Sequence, residues 1–126
     1  AMPYFLEQVA WMPSPPLVPD DGPIDFDHLR RMTLGDSGLE REVLAMFAGQ
    51  AASLAAALAQ TPADSVALAH KLKGSARAIG AVHVAAAAAD LETALRNGAD
   101  TQEPRAALDH AISRAREAID TILRRS

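Results

Sequence analysis

The chain contains no cysteine, so neither a disulfide framework nor a thiolate metal site is available to it. Aromatic residues are scarce, at 4% against 49% hydrophobic residues in all. Alanine makes up much of the difference, and an alanine-rich interior implies closely packed helices. Positive charge is also in deficit: the formal net charge is -4 at pH 7, the reverse of the basic footprint that nucleic-acid binding leaves. No uninterrupted apolar run approaches the roughly 20 residues needed to span a bilayer. The N-terminus lacks the basic start and apolar stretch of a signal peptide. The expectation is a cytoplasmic protein that engages neither nucleic acid nor membrane. There is also no glycine-rich phosphate loop, no Walker-type lysine motif and no acidic cluster suited to magnesium.

At 126 residues the chain is long enough for one domain with a real core. Six of its eight prolines (Pro3, Pro13, Pro15, Pro16, Pro19 and Pro23) fall in residues 1–23, where they remove backbone donors and break helices. This stretch reads as a proline-rich tail, and residues 24–126 as the folded domain. Within the tail Tyr4, Phe5, Leu6, Val9 and Trp11 form an apolar cluster. It either lies on the domain or serves as an arm for a partner.

From Ile24 onward the pattern is helical. Asp25 can cap a short first helix carrying Phe26, Leu29 and Met32. Ser37-Gly38-Leu39-Glu40 reads as a capping box, opening a long helix to about Gln60 with Leu39, Val43, Phe47, Leu54 and Leu58 at helical spacing. Thr61-Pro62 reads as a cap followed by proline at the first helical position. The third helix then reaches Ile79 and stops at Gly80. A fourth runs from about His83 to Asn97-Gly98, with Val84, Ala88, Leu91 and Leu95 on one stripe. Pro104 opens the last, where Leu108, Ile112, Ala115, Ile119 and Leu123 face inward. The fold class expected is all-α: an antiparallel up-down four-helix bundle with a short extra N-terminal helix. All four helices needed for closure lie in one chain, which favours a monomer.

The most informative stretch is Ala69-His70-Lys71-Leu72-Lys73-Gly74-Ser75-Ala76. Residues three and four apart share a helix face, so Lys73 and Gly74 flank His70. Helical phasing puts Leu68, Leu72, Ser75 and Ile79 on one stripe of the third helix and Val66, His70, Lys73, Gly74 and Arg77 on the other side. His70 is therefore expected at the surface rather than as a hydrogen-bonded core histidine. Gly74 argues against a plain solvated face, because glycine in mid-helix costs roughly 1 kcal/mol relative to alanine, and this chain uses alanine freely.

His70 lies ten residues before Gly80 and Glu92 twelve after it. With equal rise per residue the two come level across an antiparallel hairpin. Glu92 can then accept from the imidazole Nδ1–H, fixing the tautomer and leaving Nε2 as the nucleophile. The plainer alternative for Glu92 is a surface ion pair with Arg96, one turn on; Arg96 can otherwise add positive charge for a phosphoryl group. Phosphoryl transfer is mostly positioning and stabilisation of oxygen charge, and Lys73 supplies a compact cation, with Arg77 a weaker candidate one turn further. Without a nucleotide site, such a chain carries a phosphoryl group that a partner must load.

These residues, with Ile79-Gly80-Ala81 and more weakly Leu91-Glu92 and Asn97-Gly98, make the chain resemble the histidine-containing phosphotransfer domains of two-component phosphorelays over roughly residues 24–125. The resemblance implies that His70 accepts phosphate from a receiver-domain aspartate and passes it to another. Lys73 would assist the phosphoryl group, Gly74 would let the receiver approach, and Val66 and Ala67, with Arg77 and Arg96, would border the docking surface. It further implies response-regulator receivers and a hybrid sensor histidine kinase as partners, with no cofactor in this chain and Mg2+ on the receiver. Glu92 stands where the family often has glutamine. Its charge would raise imidazole basicity and also repel bound phosphate.

Two other readings carry different consequences. One is a helical interaction module that binds receivers without phosphorylation, which the intact His70, Lys73 and Gly74 disfavour. The other is a metal-binding bundle, but His28, His70, His83 and His110 include no pair three or four apart, so ligand spacing is poor. His83 is expected as a first-turn surface residue of the fourth helix.

Overall fold

The computed structural model describes residues 22–60 and 62–125. The apolar cluster of the N-terminal tail and Thr61 of the expected Thr61-Pro62 cap lie outside the described residues. Five helices follow in order: α1 (Phe26–Met32), α2 (Ser37–Ala59), α3 (Ser65–Ile79), α4 (Val82–Arg96) and α5 (Gln102–Arg124), with no strand among the described residues. α2 packs on α3, α3 on α4, α4 on α5 and α5 back on α2, while α1 lies against α3.

The start signals differ from the sequence expectation in three places. Asp25 caps α1 as expected, accepting from the His28 N–H. α2 is capped by Asp36 rather than Ser37: the Asp36 backbone is extended and its carboxylate accepts from the Leu39 N–H at 3.0 Å. Glu40 does not close a capping box. It accepts from the Thr33 hydroxyl and pairs with Arg30 instead. α3 begins at Ser65, because Pro62 is taken up in a turn whose carbonyl accepts from both the N–H and the hydroxyl of Ser65. Pro104 is the third residue of α5, where an intrahelical donor is not yet needed.

Alanine sits at the centre of the packing seams. Ala51, Ala69, Ala76, Ala88 and Ala115 are fully buried beside Leu44, Leu72, Leu91, Leu108 and Ile119. On α2 the buried set is Leu44, Phe47, Ala51, Leu54 and Leu58. Leu39, five residues before Leu44 and so well round the helix, is exposed. On α3 the buried set is Ser65, Ala69, Leu72, Ala76 and Ile79, with Leu68 and Ser75 at its edge. The inward stripe is thus centred on the alanines rather than on the larger residues.

Among the described residues α2 is long and apolar enough to cross a bilayer by length and composition only. Polar Gln50 and Ser53 interrupt any run, but alanine keeps the average apolar. In the fold its buried stripe joins the common core.

The turn between α3 and α4 is fixed by α1. Gly80 has φ 86°, and its carbonyl accepts from the Asp25 N–H at 2.8 Å. His28 Nε2 donates to the Ala78 carbonyl at 2.9 Å. At the same end of the bundle Arg41 donates to the Ile122 and Leu123 carbonyls, closing α2 on the negative end of α5.

Candidate functional site

Tight reversal at Gly80 sets α3 and α4 side by side, and the arithmetic of equal rise places His70 opposite Glu92. Nδ1 of His70 lies 3.0 Å from Glu92 Oε2. The same carboxylate holds two cations: Lys73 Nζ at 2.6 Å from Oε1, and Arg96, whose Nη2 and Nε donate to Oε2 at 2.8 and 3.3 Å. The Glu92 side chain is 7% exposed, whereas that of His70 is 63% exposed.

The electrostatics settle which atoms donate. The Lys73 ammonium, and after it the Arg96 guanidinium, hold the Glu92 carboxyl well below its ordinary range; burial opposes them and His70 adds to the lowering, for a pKa lowered from 4.5 to about 2. Glu92 is thus ionised at neutral pH and can only accept. The hydrogen bond to His70 therefore requires a proton on Nδ1. In a neutral ring Nε2 then keeps its lone pair and faces outward from the pair. Lys73 and Arg96 together outweigh the single carboxylate, so the cluster around His70 carries a net positive charge. That offsets the repulsion between a glutamate and a bound phosphoryl group.

Lys73 departs from the position expected for it. It lies within about 60° of buried Ala69 and Ala76 around α3, and its side chain is only 18% exposed. It is a seam residue turned toward α4, not a member of the open face. Glu92, in turn, is both of the things its sequence position allowed, since it meets His70 and also pairs with Arg96.

Gly74 is exposed, and a Cβ built there would meet nothing within 4 Å. No contact inside the molecule asks for a glycine. Val66 is half-buried and Ala67 exposed, one turn before His70. Arg77 is not part of the cluster. It is exposed, makes no ion pair among the described residues, and lines a depression with Asp25, His28 and Val82. A shallow groove between α2 and α3, lined by Val43, Met46, Gln50, Ser75 and Ala78, was not foreseen. Its signal in the sequence is Met46, a large apolar residue off the buried stripe, and it is 70% exposed. Among the described residues no group of three or more His, Cys, Asp or Glu is gathered to hold a metal ion.

An all-helical domain that presents one histidine at its surface, held through Nδ1 by an ionised carboxylate and bordered by positive charge, defines a carrier-type site. The family model of the Hpt domain matches residues 41–118, a span holding the whole cluster and more than half of the chain. The chain belongs to the Hpt domain family. Its role is accordingly phosphotransfer in two-component phosphorelays, as a phosphocarrier rather than a catalyst, in interaction with response-regulator receiver domains. Neither the search of curated proteins nor that of solved structures gives a match.

Proposed function

We propose that His70 is the phosphoacceptor, taking a phosphoryl group from the aspartyl phosphate of one receiver and giving it to the aspartate of another. The observation that carries this reading is the Nδ1 to Glu92 hydrogen bond on an otherwise exposed ring. The Nε2 lone pair attacks phosphorus and the bond to the aspartate oxygen breaks, releasing the receiver's carboxylate. With its proton retained on Nδ1, the product ring is cationic, and Glu92 supplies the facing negative charge. Glu92 thus orients the imidazole, Lys73 stabilises the phosphoryl oxygens, and Gly74 lets the receiver close in. Val66, Ala67, Arg77 and Arg96 border the docking surface. The return step is the same displacement run backward, so one geometry serves both directions.

In this reading residues 24–126 form an antiparallel up-down four-helix bundle with α1 as the extra helix, and residues 1–23 are a separate tail. The ring of neighbouring helices supports that arrangement. The carrier is a cytoplasmic monomer with no ATP site of its own. A hybrid sensor histidine kinase stands upstream, and the magnesium ion belongs to the receiver.

Incubation with a phosphorylated receiver and magnesium should give an acid-labile, alkali-stable phosphate on the wild-type chain and none on His70→Gln. Full labelling of His70→Gln would sink the assignment. Receiver binding with no transfer to the wild type would point instead to the phosphorylation-independent interaction module.

A further inference from the structure

A groove of about 440 Å³ runs between α4 and α5, on the side of the molecule away from His70. At about 100° per residue, its α4 residues His83, Ala86, Ala87 and Asp90 lie roughly 120–180° round the helix from Glu92. Its size falls in the range of sites that take up large side chains or small ligands, roughly 300–1,000 Å³. Four alanines form its floor, Ala86 and Ala87 from α4 and Ala107 and Ala111 from α5, and His83, Asp90, His110 and Arg114 border them.

Pro23 lines the same groove, which is where the chain arrives from its N-terminal segment. That segment has the bulk the groove lacks. Three of the chain's five aromatic residues, Tyr4, Phe5 and Trp11, fall in its first eleven positions, with Leu6 and Val9 between them. Glu7 is the only charged side chain among residues 1–12, so the stretch brings little charge of its own to a groove whose rim already carries Asp90 and Arg114.

We propose that the apolar segment of residues 4–11 of the same chain is the occupant of the α4–α5 groove. The tether is long enough. Eleven residues lie between Trp11 and Pro23, a reach of up to about 40 Å, while α4 with its 15 residues is about 22 Å long. Prolines 13, 15, 16 and 19 restrict the linking stretch and so lower the entropy lost on docking. A short tether sets an effective concentration on the order of millimolar. A contact too weak to persist between separate molecules is therefore populated within one chain.

Trp11 is the only tryptophan, which makes its fluorescence a direct readout. In the 126-residue chain its emission should be blue-shifted, and acrylamide quenching several-fold weaker, relative to the same chain unfolded in urea. The double variant Ala86→Glu/Ala107→Glu places charge at two exposed positions of the groove and should bring quenching close to the unfolded value, with the helical circular dichroism retained. Tyr4→Ser/Phe5→Ser, which leaves the folded domain untouched, should do the same. The proposal is overturned if Trp11 of the native wild type is as accessible as in urea. It is equally overturned if protection survives both double variants, or if it fades on dilution together with a dimer in sedimentation, which would make a second copy the occupant. None of these readouts depends on phosphotransfer, so the groove and the role of His70 fail or stand separately.

Discussion

Gly74 and Gly80 lie six residues apart on or just after α3, and their surroundings are opposite. A Cβ at Gly80 would sit 2.8 Å from the Asp25 carbonyl oxygen, on a backbone with φ 86°. A Cβ at Gly74 would meet open space on a regular helix. At Gly80 the fold itself requires glycine, because a left-handed residue must pass under α1 so that α3 and α4 can turn back on each other. At Gly74 the fold would be better served by alanine. The end of the helix is closed by internal contacts, and its middle, beside His70, borders open space.

The largest effect that bears on this contrast is at Gly80. Gly80→Ala forces an L side chain into the left-handed region, which costs roughly 1–2 kcal/mol, and adds a backbone clash. We expect a loss of about 2 kcal/mol or more, lowering the thermal midpoint by roughly 10 °C. At temperatures where this variant is still folded, phosphate uptake from a receiver should match wild type. A folded variant that no longer accepts phosphate would mean that the turn acts on the site and that the two regions are not separable.

Glu92 comes next, because it ties the open face to the packed seam. Its folded pKa of about 2 lies below the ordinary 4.5, so its stabilising contribution is complete above pH 4.5 and is lost as pH falls toward 2. Glu92→Gln leaves an amide carbonyl to accept from His70 Nδ1–H but removes the charge that Lys73 and Arg96 share. Thermal midpoints of the two proteins should differ most above pH 4.5 and converge toward pH 2. A gap that stays constant with pH would assign the effect to packing rather than to charge.

The pairing of His70 with Glu92 was legible in the sequence because it needs only two straight helices and a tight turn between them. Ten residues before Gly80 and twelve after it bring the two level whatever fills the core. The place of Lys73 was not legible in the same way. Phasing α3 on Leu68, Leu72 and Ile79 turns the helix away from the seam that Ala69 and Ala76 occupy, and Lys73 then reads as fully outward. Where alanine is the packing residue, the large apolar positions mark the edges of the stripe rather than its centre. The cap of α2 was ambiguous for another reason: Asp36 and Ser37 are both good caps, and only the extended backbone of Asp36 decides between them. The α4–α5 groove is a property of what two alanine-rich faces fail to fill, and neither helix reveals it alone.

The contrast can be sharpened most finely at Gly74 itself, since Gly49 on α2 is also an exposed mid-helix glycine whose added Cβ would meet nothing within 4 Å. Each glycine costs its helix about 1 kcal/mol relative to alanine, so Gly74→Ala and Gly49→Ala should raise the thermal midpoint alike, by roughly 4–8 °C. They should differ in transfer. A methyl group added to a packed contact typically costs 1–3 kcal/mol, and 1.4 kcal/mol corresponds to about tenfold. Gly74→Ala should therefore slow uptake from a phosphorylated receiver about tenfold while making the carrier more stable, and Gly49→Ala should leave uptake unchanged. If Gly74→Ala transfers at the wild-type rate, clearance for a docking partner is not what keeps glycine beside His70. A protein that gains stability and loses rate from one methyl group has its conflict at the partner surface, because inside the molecule that methyl touches nothing.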